Sequence, residues 1–154
     1  MFKRYNAVLA FSPTLSHVWL VQKNRPDMPH IHRLFSGIGG EMEVGESPVG
    51  SAMREFTEET GYSLNKDDMV HVEHQRFLPG HEIYWYATVL GERWQDFPLY
   101  NDAGEFMNVF DCNEWGLVPV KNWGSDKAPF APNLTYLVPK ALTLLRTPYT
   151  ARPM

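Results

Sequence analysis

The strongest constraint on this chain lies between Gly40 and Tyr62, which reads GEMEVGESPVGSAMREFTEETGY. Its second half predicts a helix. Ser47 is a favoured N-cap, and Pro48 follows at the first helical position, where a missing N–H costs nothing. Val49, Ala52, Met53 and Phe56 recur at helical spacing and form an apolar stripe. Gly61 stands where a left-handed residue ends a helix. The other face carries Glu55, Glu58 and Glu59, brought together over about one turn by their spacing. Like charges so placed destabilise a bare helix by about 0.2–0.5 kcal/mol per pair. Arg54 offsets part of this through Glu58, four residues on. A hard cation such as Mg²⁺ would offset more, because it prefers carboxylate oxygens.

Ahead of this helix runs a glycine-punctuated turn, Gly37-Ile38-Gly39-Gly40, followed by Gly45-Glu46. Glycines let backbone approach a ligand closely, and a helix N-terminus favours anions. The stretch thus offers carboxylates for a metal, a backbone turn beside them and a place for phosphate. Three glutamates on a helix are, by themselves, usually a solvated face. The wider spacing is far more specific. Gly40 is followed after five residues by Glu46, then after seven by Arg54-Glu55-Phe56, then by Glu58-Glu59 and Gly61-Tyr62. This resembles the box of the Nudix hydrolases, GX5EX7REUXEEXGU, with U a bulky aliphatic. Every fixed glycine, glutamate and arginine is present. The U positions hold Phe56 and Tyr62, a departure that touches packing rather than chemistry.

Beyond the box the chain reads as one domain. At 154 residues it is long enough to bury a sizeable core. Its net charge of −4 argues against avid binding to long nucleic acid, but leaves room for a small phosphorylated ligand. A single cysteine, Cys112, excludes an intrachain disulfide and points to a reducing, cytoplasmic setting. No stretch has the length or apolarity of a transmembrane span or signal peptide.

Tyr5 to Phe11 and His17 to Lys23 predict a hairpin, with Ser12-Pro13 at its turn. The polar loop that follows carries Lys23, Arg25, His30, His32 and Arg33. Either it is simply solvated, or Lys23 or Arg25 reaches substrate phosphates. The histidines, including His71 and His74, are weak metal candidates beside so many carboxylates. Leu34-Phe35-Ser36 predicts a short strand. Val70–Phe77 and Ile83–Leu90 predict a second hairpin around Pro79-Gly80, with Trp85 alternating against Tyr84 and Tyr86 on two sides of a sheet. Residues 91–104 have turn chemistry, and 105–111 predict another strand. Trp115, Trp123 and Phe130 lie in an irregular region, where they either stack a base or plug the core edge. From Asn133, a strong N-cap, the residues Leu134, Leu137, Val138, Ala141, Leu142 and Leu145 predict a second helix, against which Pro139 is a conflict. Thr147–Met154 reads as a frayed tail.

Two hairpins, a further strand and two distant helices predict an α+β fold, a mixed β-sheet sandwiched between α-helices. The Nudix resemblance implies the same layout, and a hydrolase of pyrophosphate linkages in nucleoside diphosphate compounds. It implies Mg²⁺, replaceable by Mn²⁺, on Glu55, Glu58 and Glu59, with the Gly39 carbonyl and Glu105 as further ligands. It implies Glu55 as general base, Arg54 orienting the carboxylates, and Glu46 holding a second metal or a water. Ser-Gly-Ile-Gly-Gly before the box and Asn133-Leu-Thr-Tyr-Leu-Val-Pro resemble members that hydrolyse nucleoside triphosphates, including oxidised ones such as 8-oxo-dGTP. Lys23, Arg25 and Asn133 are then the expected substrate contacts, Asn133 at the base or as a plain cap. Dinucleoside polyphosphates, ADP-ribose and nucleotide sugars stay open as substrates. So does RNA cap removal, disfavoured by the acidic balance. A contrasting class is a silent nucleotide-sensing module, which need not keep the carboxylates. A monomer or homodimer is expected.

Overall fold

A computed structural model describes residues 2–113 and 130–147. Trp115, Trp123 and the tail beyond Thr147 lie outside the described residues. The elements are β1 (Lys3–Phe11), β2 (His17–Gln22), β3 (Phe35–Ser36), α1 (Pro48–Thr60), β4 (Val70–Arg76), β5 (His81–Val89), β6 (Met107–Asp111) and α2 (Leu134–Arg146), with a short 3₁₀ turn at Lys66–Asp68. The two predicted hairpins form as expected, β1 against β2 and β4 against β5.

What joins them is parallel pairing of β1 with β5 along their full lengths, from Lys3 opposite His81 to Phe11 opposite Val89. The resulting order is β3-β2-β1-β5-β4, with β6 added on β2. The sheet is mixed, and both faces are covered. Ala7, Leu9 and Phe11 on β1 and Trp85 and Ala87 on β5 face α2, together with Leu134, Leu137, Val138 and Ala141. Val8 and Ala10 on β1 and Tyr86 on β5 face the other way, against Ala52 and Phe56 of α1. The period-2 alternation of β1 therefore feeds two separate cores.

Helix α1 starts and stops where its sequence says. The Ser47 side chain accepts from the Gly50 N–H, Pro48 opens the helix, and Gly61 closes it at φ 76°. Ala52 and Phe56 are fully buried, Phe56 contributing about 1.5–3 kcal/mol by leaving water.

Helix α2 corrects one expectation. Asn133 has helical backbone angles and makes no side-chain capping bond. Pro139 does lie inside the helix. It falls on the exposed face, where water can serve the carbonyl it strands, while Leu137, Val138, Ala141 and Leu142 hold the helix to the sheet. Phe130 packs edge-on against Phe110 in the core and is 8% exposed, so it plugs the core edge instead of offering a face to a base.

Candidate active site

Arg54 gathers the acidic residues around the start of α1. Its Nε and Nη2 donate to the two oxygens of Glu46 at 2.7 and 2.9 Å. Nη1 donates to both oxygens of Glu58 at 3.0 and 3.2 Å, and Nη2 also reaches Glu55 at 3.3 Å. The fork on Glu46, helped by the Glu43 N–H, holds the Glu46 carboxyl down at about 2. Glu46 was expected to hold a metal or water. Its two oxygens accept from Arg54 and the Glu43 amide, so it also anchors the arginine.

The three helix carboxylates separate. Glu58 is half-exposed and turned to Arg54. Glu55 lies against the glycine turn, where a Cβ on Gly40 would sit 3.0 Å from its carboxyl carbon. Glu59 points inward and is 6% exposed. Burial pushes its carboxyl up to about 7, against the opposing pull of the Lys23 ammonium. Among the described residues, no three acidic, imidazole or thiolate side chains are already drawn into a metal-holding group. Glu55 and Glu58 share Arg54, while Glu59 turns inward to Asn101.

One residue missed by sequence reasoning links the acids. Asn101 Nδ2 donates to Glu59 Oε1 at 2.8 Å and to Glu105 Oε1 at 3.0 Å. Its Oδ1 accepts from the Ala103 and Glu105 N–H groups, fixing the turn that carries Glu105. The Asn-Asp-Ala-Gly run was the available signal, since Asn side chains build such turns. The other Glu105 oxygen accepts from the Asn24 N–H. Glu105 itself stands just before β6 rather than within it.

The glycine turn is sterically obligatory. A Cβ on Gly39 would fall 2.2 Å from the Asn6 carbonyl oxygen and 2.7 Å from its Oδ1. The carbonyls of Ile38 and Gly40 accept from the Val8 and Asn6 N–H groups of β1. Alternation along this extended segment turns the Gly39 carbonyl away from that strand. Asn6 is a second residue the sequence did not mark. Its Nδ2 donates to buried Ser51 Oγ at 2.7 Å, tying β1 to α1.

A cleft of about 440 Å³ opens on the α2 side of the sheet. Lys23, Arg25, Gly39, Glu105 and Asn133 all line it, so five residues singled out from sequence share one wall system. Glu46, Arg54, Glu55, Glu58 and Glu59 do not line it and lie toward α1. Arg25 is forked on Asp27 at 3.0 and 3.1 Å. The floor carries Trp85 and Gln75, neither recognised beforehand. Gln75 Oε1 accepts from Trp85 Nε1 at 3.0 Å, while its Nε2 donates to Glu73 and Tyr136. No local pattern could have announced that arrangement, because β4, β5 and α2 meet only in the fold.

The histidines take other roles. His74 stacks on Tyr84 with ring centroids 4.2 Å apart and pairs with Glu82 at 2.8 Å. His32 Nδ1 accepts from the Arg25 N–H. Burial pushes the Cys112 thiol up to about 12, as suits an inert side chain.

The site fits a hard divalent cation. Its donors are all oxygen, and Glu59 Oε2 is buried without a hydrogen-bond partner. No helix among the described residues is long and apolar enough to cross a membrane.

Comparison with known proteins agrees with this geometry. The NUDIX domain family model matches residues 3–134. No curated protein matches the sequence significantly. Among solved structures, a MutT structure from work on Aliivibrio salmonicida and Vibrio cholerae is similar at 18% identity and a TM-score of 0.64, over 91% of this chain and 99% of that one. The mutator MutT protein from Bacillus halodurans is similar at 16% identity and a TM-score of 0.63, over 90% and 80% of the two chains. With the family model spanning most of its length, the chain belongs to the Nudix hydrolase family and is an enzyme of the Nudix pyrophosphohydrolase class.

Proposed function

We propose that the protein is a Mg²⁺-dependent nucleoside triphosphate pyrophosphohydrolase, acting on ordinary or oxidised nucleotides. The observation that carries this reading is a base-sized cleft whose wall includes Gly39, Lys23 and Glu105, with Glu105 tied through Asn101 to Glu59. The likeness to MutT structures supports the choice of nucleotide class, and 8-oxo-dGTP is one substrate to include. The same reading takes residues 1–154 as one domain, working in the cytoplasm as a monomer or homodimer.

Glu55, Glu58, Glu59, the Gly39 carbonyl and Glu105 would hold the cation. When bound, it would neutralise phosphate charge and acidify a coordinated water. Glu55 accepts the proton of the attacking water as its oxygen bonds to phosphorus. Glu55 is positioned for this against the glycine turn, beside Gly40. The bond between that phosphorus and the bridging oxygen breaks, and the leaving pyrophosphate keeps the electron pair. Arg54 holds Glu55 and Glu58 in place, and Glu46 holds Arg54. Lys23 stands at the cleft wall, where a phosphate would meet its charge. Asn133 offers a donor and an acceptor to a base edge.

A screen over nucleoside triphosphates, dinucleoside polyphosphates, ADP-ribose and nucleotide sugars tests this, with orthophosphate and pyrophosphate measured separately. The expected products are a nucleoside monophosphate and pyrophosphate. Turnover of none of these would favour a silent sensing module, and turnover of only the conjugates would move the substrate class.

A further inference from the structure

A second cleft, of about 730 Å³, lies on the far side of Lys23 and Glu105. These two residues line both clefts, so they form a shared partition. Glu105 is bonded to Asn101, and Asn101 to Glu59, so the partition is part of the carboxylate network. A molecule cleaved at that network would leave one half in each cleft.

The chemistry of the second cleft is that of an anion site. Arg33 lines it, exposed, and its guanidinium makes no ion pair among the described residues. Lys23 adds a second cation from the partition. His32 also lines it, and because its Nδ1 accepts from the Arg25 N–H, the ring hydrogen sits on Nε2 as a further donor. The one carboxylate present, Glu105, already has both oxygens engaged, by Asn101 and by the Asn24 N–H. Tyr100, 56% exposed, stands over Phe106 at 5.9 Å and offers an aromatic face.

Arg33 is also placed at a conformational cost. Its φ is 67°, the left-handed region that non-glycine residues seldom enter. The backbone is pinned there by the Arg33 N–H donating to the Lys23 carbonyl at 2.7 Å and by Gln22 Nε2 donating to the Arg33 carbonyl at 3.0 Å. Such placements persist where the surroundings enforce them, and they cluster at ligand sites. Here the two bonds hold Arg33 beside Lys23.

We propose that this second cleft binds the phosphorylated leaving half of the substrate, with Arg33 as its specific cation. The inference rests on the pyrophosphohydrolase reading for the direction of cleavage. It adds a second site that is separate from the cleft over Trp85. The volume admits more than a bare pyrophosphate, so the leaving half is either pyrophosphate or a phosphorylated group stacked on Tyr100.

Binding of two probes to the full chain at fixed Mg²⁺ tests this, by calorimetry and by amide chemical-shift mapping. Inorganic pyrophosphate should shift the amides of Arg33, Tyr100 and Gly104, whereas the first equivalent of a nucleoside monophosphate should shift those of Ala7, Ile83 and Trp85. Arg33→Gln should weaken pyrophosphate at least about tenfold and leave the nucleoside monophosphate unchanged. Arg33→Lys should recover most of the loss. Arg33 is exposed, so both variants should keep the parent Tm. A second equivalent of nucleoside monophosphate at Tyr100, lost in Tyr100→Ala, would also support the site and identify its occupant as a nucleotide. Pyrophosphate shifting only the Trp85 cleft, or binding Arg33→Gln as tightly as the parent, would overturn the proposal. Failure of the parent to release pyrophosphate from any nucleotide would instead overturn the functional reading, and the binding result would stand apart from it.

Discussion

The two faces of the sheet are built by different rules. The α1 face depends on neighbours in sequence. Ser47, Pro48 and Gly61 frame the helix, and Arg54 ties together Glu46, Glu55 and Glu58 within a dozen residues. The α2 face depends on distance. Gln75 of β4 meets Tyr136 of α2 only because those elements pack, and Asn133, just before α2, lines the same cleft as Gln75 and Trp85. On the proposed reading the α1 face supplies the helix carboxylates, and the cleft on the α2 side supplies Gly39, Glu105 and the groups that would choose a substrate. Chemistry encoded in a short run can be kept whole while the other face varies.

The comparison breaks most completely if the reaction proceeds without metal. Exhaustive EDTA treatment should abolish hydrolysis, and Mg²⁺ or Mn²⁺ should restore it. Full activity after chelation would remove the α1 carboxylates from the chemistry. Glu58→Gln and Glu59→Gln should each lower kcat at least about a hundredfold with the fold intact. For Glu59 the glutamine oxygen can still accept from Asn101, so folding should survive the change, as circular dichroism would report. Near-parent turnover in both variants would move the active site elsewhere.

Asn101 joins the local α1 acids to a residue from beyond β5. Removing its amide in Asn101→Ala should cost about 10–100-fold in kcat or in metal affinity, as loss of a group that orients ligands does. A variant with parental kinetics would show that Glu59 and Glu105 do not need the link. On the α2 face, Asn133→Asp should leave kcat for the best substrate within reach of the parent but reorder the nucleobases in kcat/KM, by about ten- to a hundredfold. An unchanged ranking would remove Asn133 from base reading.

The smallest effect concerns stability without metal. Burial raises the Glu59 carboxyl to about 7 from the ordinary 4.5. The native protein therefore holds that proton more tightly than the unfolded chain. The contribution is fully present below 4.5 and is lost as pH rises through about 7. Tm of the metal-free protein should fall across that window, and Glu59→Gln should flatten the slope. A slope unchanged by the substitution would assign it to other groups.

Legibility in the sequence followed the same divide. The helix caps, the box, both hairpins and the alternation of Tyr84, Trp85 and Tyr86 depend on residues within a few positions of one another, so they could be read directly. The parallel β1–β5 contact has no local signature and was not foreseen. Asn133 resembled a cap by residue type, yet its backbone is already helical and its side chain lines the cleft. Asn101 and Glu105 sat in or beside a segment read only as turn. Their importance lies in where the turn meets Glu59, and that meeting is made by the fold.

The full-length parallel pairing of β1 with β5 also bears on how the protein comes into being. Its partners stand some 78 positions apart in sequence. Closing so long a loop is entropically costly before any contact repays it, so the pairing belongs to the slow part of folding. The whole Nudix box lies inside that loop. During synthesis α1 leaves the ribosome well before β5 does, and it then has β1 and β2 but only half of its sheet to pack against. The acids of the box would thus be presented to solvent and cations before a substrate cleft exists. The enzyme would become competent only after residues 81–89 have paired with β1 and the later Glu105 turn and α2 have joined the sheet.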